Sequence, residues 1–108
     1  MKLIHSDLLK FAFEFANQSK KILKNNYFKK FSVEEKDDGS LVTNIDKEIE
    51  ERFREKLKKK FPHHGVIGEE FGNEKENNEF VWIIDPLDGT HSFIAGKPLF
   101  GTLISCTK

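Results

Sequence analysis

Asp85 and Asp88, separated by Pro86 and Leu87 and followed at once by Gly89 and Thr90, are the residues of this chain best suited to chemistry. Two carboxylates at this spacing can converge on hard divalent cations, which prefer oxygen ligands, and the Leu87 carbonyl between them can supply another. Gly89 lets backbone approach a ligand closely, and Thr90 offers a hydroxyl and an N–H where a short helical segment can begin. A metal site would then adjoin a phosphate site. The same hexapeptide also reads as turn chemistry alone, since Asp, Pro and Gly are common turn formers. Aspartyl-nucleophile phosphatases need their two Asp residues two positions apart, a spacing not met here. An EF-hand fails for want of oxygen ligands at alternate positions and a closing Glu.

The elements around these residues decide whether they can meet. A strand from about Phe80 to Ile84 delivers Asp85 to the end of a sheet, where Pro86, lacking an N–H, is expected to stop the ladder. Glu69, sixteen positions before Asp85, and Glu70 fall in the run His64 to Gly72, a short apolar strand candidate followed by Gly68 and this pair of acids. If Glu69 turns toward the sheet end it joins Asp85 and Asp88, with Glu70 reaching the site obliquely or through water. Clustered carboxylates repel unless cations sit among them, which points to Mg²⁺; the plain alternative is a solvated acidic loop.

Two amphipathic helices are expected beside the sheet. Leu8, Phe11, Ala12, Phe15, Ala16, Ile22 and Leu23 recur at helical spacing from about Ser6 to Asn26. A second helix should start near Thr43 or Asn44 and end before Pro62, with Ile45, Ile49, Phe53, Leu57 and Phe61 on one face. Glu48, Glu50 and Glu51 precede Lys56, Lys58, Lys59 and Lys60, as the helix dipole favours, so the lysines read as a helix-end feature rather than a nucleic-acid patch. Asp46 falls in the first turn, where capping alone accounts for an acid. A short strand near Ser32 to Glu35, a turn at Asp37 to Ser40, an exposed loop at Glu74 to Glu79 and a strand at Gly101 to Ser105 complete the reading. His63 and His64, adjacent in a polar turn, read as solvated rather than as zinc ligands, and Cys106 as a buried strand residue.

Three blocks in order, Lys36 to Asp46, Gly68-Glu69-Glu70, and Trp82 to Thr90, make the chain resemble the inositol monophosphatase family of magnesium-dependent phosphomonoesterases. The stretches Phe61 to Gly72, Ser92 to Pro98 and Phe100 to Ile104 are most similar to its histidinol-phosphate phosphatase branch; inositol phosphatases usually carry Asn where this chain has Ser92. The resemblance implies an α/β fold of alternating helix and sheet layers. It implies that Glu69, Asp85 and the Leu87 carbonyl bind one Mg²⁺, that Asp85 and Asp88 bind a second, and that Glu70 helps hold a weaker one through water. Thr90 paired with Asp46 would orient the attacking water, and the backbone of Gly89 and Thr90 would cradle the phosphate. The reaction implied is direct in-line hydrolysis of a small phosphate monoester, without a phosphoenzyme. Lys36 and the acids after it match a mobile loop near the metals; Asp37 and Asp38 also read as a solvated turn.

Length and composition bound this expectation. A chain of 108 residues builds one small core at most, and 37% hydrophobic, 33% charged and eleven Phe indicate a globular protein with Phe as its main core filler. Lys plus Arg equals Asp plus Glu at 18 each, giving no global attraction to nucleic acid or membrane. The lone Cys106 excludes an internal disulfide, and with neither a membrane-spanning run nor a signal-peptide block a cytoplasmic location is expected. Family members are considerably longer, and their second half carries a further metal-binding Asp in a Trp-Asp motif. Residues 1–108 are therefore expected to be the amino-terminal part of a single domain, inactive alone, completed by a separate carboxyl-terminal half or associating as a homo-oligomer. A non-catalytic fragment or interaction remnant is the competing expectation.

Overall fold

A computed structural model describes residues 5–27, 29 and 31–108. The element order is α1 (His5–Asn26), β1 (Val33–Glu35), β2 (Leu41–Thr43), α2 (Asn44–Lys60), β3 (Gly65–Gly68), β4 (Gly72–Glu74), β5 (Val81–Asp88), α3 (Thr90–Ile94) and β6 (Gly101–Thr107). β1 and β2 form an antiparallel hairpin, and the other strands form a four-stranded sheet in the order β4-β3-β5-β6. Within it β3 and β5 run parallel, while β4 and β6 are antiparallel to their neighbours. The two long helices cover one face, α1 against β6 and α2 against β5. This is the mixed helix-and-sheet layering expected from the sequence.

Alternation along β5 assigns its residues to two faces. Trp82 and Ile84 point into the core, while Ile83 is exposed and Asp85 half-buried on the other side. Trp82 is met edge-on by Phe11 and Phe53, with ring centroids 5.1 and 5.9 Å away, and Phe15 packs edge-on against Phe53 at 5.0 Å. Phe is thus the core filler. The stripe of α2 is buried from Ile45 through Phe61, as its spacing requires. That of α1 differs in detail: Ala16 is exposed, whereas Ser19 is fully buried and bonds the Thr102 hydroxyl at 2.5 Å.

Four expectations about the strands and their residues need correction. β5 does not stop before Pro86 but continues to Asp88: Asp85 pairs with Leu103 and Asp88 with Gly101, so an extra residue bulges out there and Pro86 sits where no ladder donor is required. β6 likewise runs two residues further, to Thr107. Gly72 to Glu74, read as loop at its end, pairs with β3 as an exposed edge strand. Cys106 lies on β6 as expected but is half-buried rather than buried.

His64 is not solvated. Its ring stacks on Phe61 at 4.6 Å and 9°, and its Nδ1 accepts the Trp82 indole N–H at 3.0 Å. Burial, helped by His63, lowers its pKa from 6.5, with Glu79 opposing. A folded-state pKa below the unfolded value means stability present above the ordinary value and lost as pH falls through the depressed one. Accordingly, imidazole NMR should place the His64 midpoint below 6.5, and His64→Ala, which strands a buried indole N–H, should cost about 1–3 kcal/mol by chemical denaturation at neutral pH. Unchanged stability would show that the pair contributes nothing.

Candidate functional site

α2 begins by fixing Asp46. Thr43 is its N-cap: the Thr43 hydroxyl accepts the N–H of Ile45 at 3.1 Å and of Asp46 at 3.3 Å, while Asp46 Oδ1 accepts the Thr43 N–H at 2.7 Å. Thr43 also donates its hydroxyl to the same oxygen at 2.5 Å. This reciprocal capping box leaves Asp46 3% exposed with a single free direction for Oδ2. Into that direction comes the Thr90 hydroxyl at 3.2 Å, which is also 3.0 Å from the Leu87 carbonyl. Two residues 44 positions apart thus meet at the junction of β5 and α3.

Gly89 makes that junction possible. Its φ of 86° lies in the left-handed region, and a Cβ there would stand 2.4 Å from the Leu99 carbonyl oxygen. The chain can therefore turn from β5 into α3 only with glycine at this position.

The acids come from two strand ends. Because β3 and β5 are parallel neighbours, the turn after β3 (Glu69, Glu70, Phe71) and the end of β5 (Asp85, Asp88) lie at the same side of the sheet. Glu69, Glu70, Asp85 and Asp88 line a cleft whose floor includes Leu87, Gly89 and Thr90. Lys36 and Ser40, from the β1–β2 turn, line it as well, as do His91 and Ser92 from α3. Its volume is about 290 Å³, just below the roughly 300–1,000 Å³ usual for ligand sites, which suits a phosphate and its ions better than a whole extended substrate.

The electrostatics are those of crowded anions. Burial first, then Glu69 and Asp88, push the Asp85 carboxyl up to about 6, against a hydrogen bond from Leu87. Burial likewise raises Glu70, opposed by Lys36, whose Nζ sits 2.9 Å from Glu70 Oε1. Burial pulls Lys36 down, but Glu70, Glu69 and Asp38 outweigh it and hold the ammonium above its usual range. Glu69 and Asp88 are exposed, and among the described residues no three Asp, Glu, His or Cys side chains close on one point. The acids therefore share a cleft without forming a closed ligand cage, as mutual repulsion dictates. The donors are all hard oxygen apart from His91, a set that fits a divalent cation of the Mg²⁺ or Ca²⁺ type rather than zinc or copper.

Glu50 is the residue that sequence reasoning placed wrongly. It read as one of several acids serving the front of α2, yet it is fully buried beneath the 69–71 turn. Its position one helical turn after Asp46, on the apolar side with Ile49 and Phe53, was the available signal.

Crowding at Asp85 has a measurable sign. A carboxyl whose folded pKa is raised from 3.8 to about 6 lends stability that is fully present below the lower value and lost as pH rises through the upper one. At neutral pH, without divalent metal, Asp85→Asn should therefore raise the thermal midpoint; a lowered midpoint would contradict the crowding.

The sequence profile of the inositol monophosphatase family matches residues 5–108. The chain is 44% identical over 89 residues to a fructose-1,6-bisphosphatase/inositol-1-monophosphatase of Aquifex aeolicus, a match covering 81% of this chain and 34% of that protein. It is 42% identical over 99 residues to a histidinol-phosphatase of Chlorobaculum parvum, covering 90% of this chain and 38% of that one. Among solved structures, an inositol monophosphatase of Thermotoga maritima superimposes with a TM-score of 0.86 at 30% identity, over 94% of this chain and 40% of its own. The suhB protein of Bartonella henselae gives 0.88 at 26% identity, over 94% and 41%. The chain thus spans between about a third and two-fifths of the length of these relatives. On the profile match and these identities, the chain belongs to the inositol monophosphatase family.

Proposed function

We propose that the chain is the amino-terminal part of a Mg²⁺-dependent phosphatase that hydrolyses a small phosphate monoester, histidinol phosphate by preference, with water as nucleophile. The observation that carries this reading is the contact of Asp46 with Thr90, a residue that lines the acidic cleft. Glu69, Asp85 and the Leu87 carbonyl would hold one cation and Asp85 with Asp88 a second. The Leu87 oxygen has a lone pair to spare beyond the one facing Thr90. Glu70, already neutralised by Lys36, suits a water-mediated role toward a weaker third ion. Bound Mg²⁺ would supply Lewis-acid stabilisation of the attacking and leaving oxygens.

The protein's own part is positioning. With its proton directed at Asp46, the Thr90 hydroxyl presents lone pairs to an incoming water and aims it in line with the phosphorus. The N–H groups of Gly89 and Thr90 receive the phosphate oxygens, and Gly89 lets the backbone come within reach. The phosphorus–oxygen bond to the alcohol breaks as the bond to water forms, and the proton that the water gives up is matched by one that the released alkoxide takes from solvent. The preference for histidinol phosphate rests on the Phe61 to Gly72 and Ser92 to Pro98 stretches and on the Chlorobaculum relative; an inositol monophosphatase of Mesembryanthemum crystallinum, 36% identical over 106 residues, favours inositol phosphate as the alternative.

A second reading, a binding role without turnover, is favoured by the Pseudomonas aeruginosa relative named Nus factor SuhB, 42% identical over 78 residues. The test substitutes residues 5–108 for the matching segment of the Chlorobaculum enzyme and assays histidinol phosphate and inositol monophosphate with Mg²⁺. The chain alone should turn over little. The chimera should hydrolyse histidinol phosphate with the higher kcat/KM, and Asp85→Asn should lower it by more than the roughly 100-fold limit typical of outer-sphere changes. A folded chimera inactive on every monoester would favour the binding reading, and parity between the two substrates would remove the branch preference alone.

A further inference from the structure

We infer that Glu50 is a positioning residue for the candidate metal ligands: its buried carboxylate latches the turn that carries Glu69 and Glu70 and thereby sets where both acids stand. This deepens the metal-site reading above and rests on it.

Glu50 Oε1 accepts the backbone N–H of Glu70 at 2.9 Å, and Oε2 accepts that of Phe71 at 2.8 Å. Arg54, one turn further along α2, donates to Oε2 from Nε at 3.2 Å and from Nη2 at 3.0 Å, and its Nη2 also bonds the Gly72 carbonyl. The turn is therefore held from the amides of its second and third residues and from the carbonyl of the residue that follows. Gly68 completes the fit, since a Cβ there would lie 2.6 Å from the Glu50 carboxylate. The latch and the strand end are in direct contact.

Packing alone does not explain this arrangement. Burying a carboxylate carries a desolvation cost that an apolar residue of similar size would avoid, so its retention is better accounted for by what it holds. What it holds is a turn with adjacent acids facing two more across a small cleft. Like charge on Asp85 works against Glu69 at the cleft, and the Lys36 ammonium that attracts Glu69 is already paired with Glu70, so the side chain alone resists that push weakly. The two amide bonds to Glu50 supply the resistance through the backbone. Groups that orient metal ligands in this way typically change metal affinity about 10- to 100-fold when altered.

The test compares wild type with Glu50→Gln, Gly68→Ala and the neighbouring exposed Glu51→Gln. Gln turns an amide NH₂ toward one of the two backbone donors, and Ala at 68 displaces the carboxylate without changing any charge. For each, calorimetric Mg²⁺ titration is paired with the thermal midpoint in chelator and with amide exchange at Glu70 and Phe71. Expected for the first two are a loss of affinity of about 10- to 100-fold and faster exchange at those two amides, with β5 still protected; Glu51→Gln should match wild type. If either variant folds, keeps wild-type affinity and keeps its amides protected, the latch is overturned. Should wild type itself bind no Mg²⁺, the metal reading fails, and the exchange data still decide whether Glu50 holds the turn.

Discussion

Four acids facing one small cleft repel one another, so something other than their own contacts must hold them there. In this chain the backbone does it. Glu69 and Glu70 ride on a turn whose amides bond Glu50, and Asp85 and Asp88 ride on a strand pinned between β3 and β6. Asp46 is held on the same helix by its capping box. α2 is therefore the shared foundation: one turn of it anchors Asp46, and the next anchors the Glu69–Glu70 pair. Its apolar face against Trp82 ties both to β5.

The face on which the acids sit follows from the same geometry. Strand alternation sends Trp82 and Ile84 into the core and leaves Ile83 and Asp85 on the side that the two long helices do not cover. On that side Ile83 is 41% and Leu103 56% exposed, so Asp85 occupies the boundary between a packed sheet and open surface. Half-burial there raises its pKa without removing access, the condition under which a carboxylate gains most from a cation.

How much of this was legible depended on how local each feature is. The Asp85 to Thr90 hexapeptide could be read directly because its ligands, turn and helix start are contiguous. The two helices were legible from spacing, the second with its start near Thr43 or Asn44. The meeting of Asp46 with Thr90 spans 44 positions and was accessible only through family resemblance. Glu50 was misread because the turn that buries it lies 20 positions further along the chain, and its place on the apolar side of α2 was the one local sign of that burial. β4 was missed because Gly72, Asn73 and Glu74 show no apolar alternation and form a strand only by pairing with β3. Pro86 suggested a strand end where a bulge instead absorbs its missing N–H.

On the function proposed, the acids carried by the 69–71 turn and the end of β5 constitute one cation site. Paramagnetic broadening of backbone amides on titration with Mn²⁺, an oxygen-seeking divalent ion, locates such a site residue by residue. The amides of Glu69, Glu70, Asp88, Gly89 and Thr90 should broaden first, and added Mg²⁺ should restore them. Broadening that begins instead at the exposed acids of residues 74–79, or spreads evenly over the surface, would contradict it.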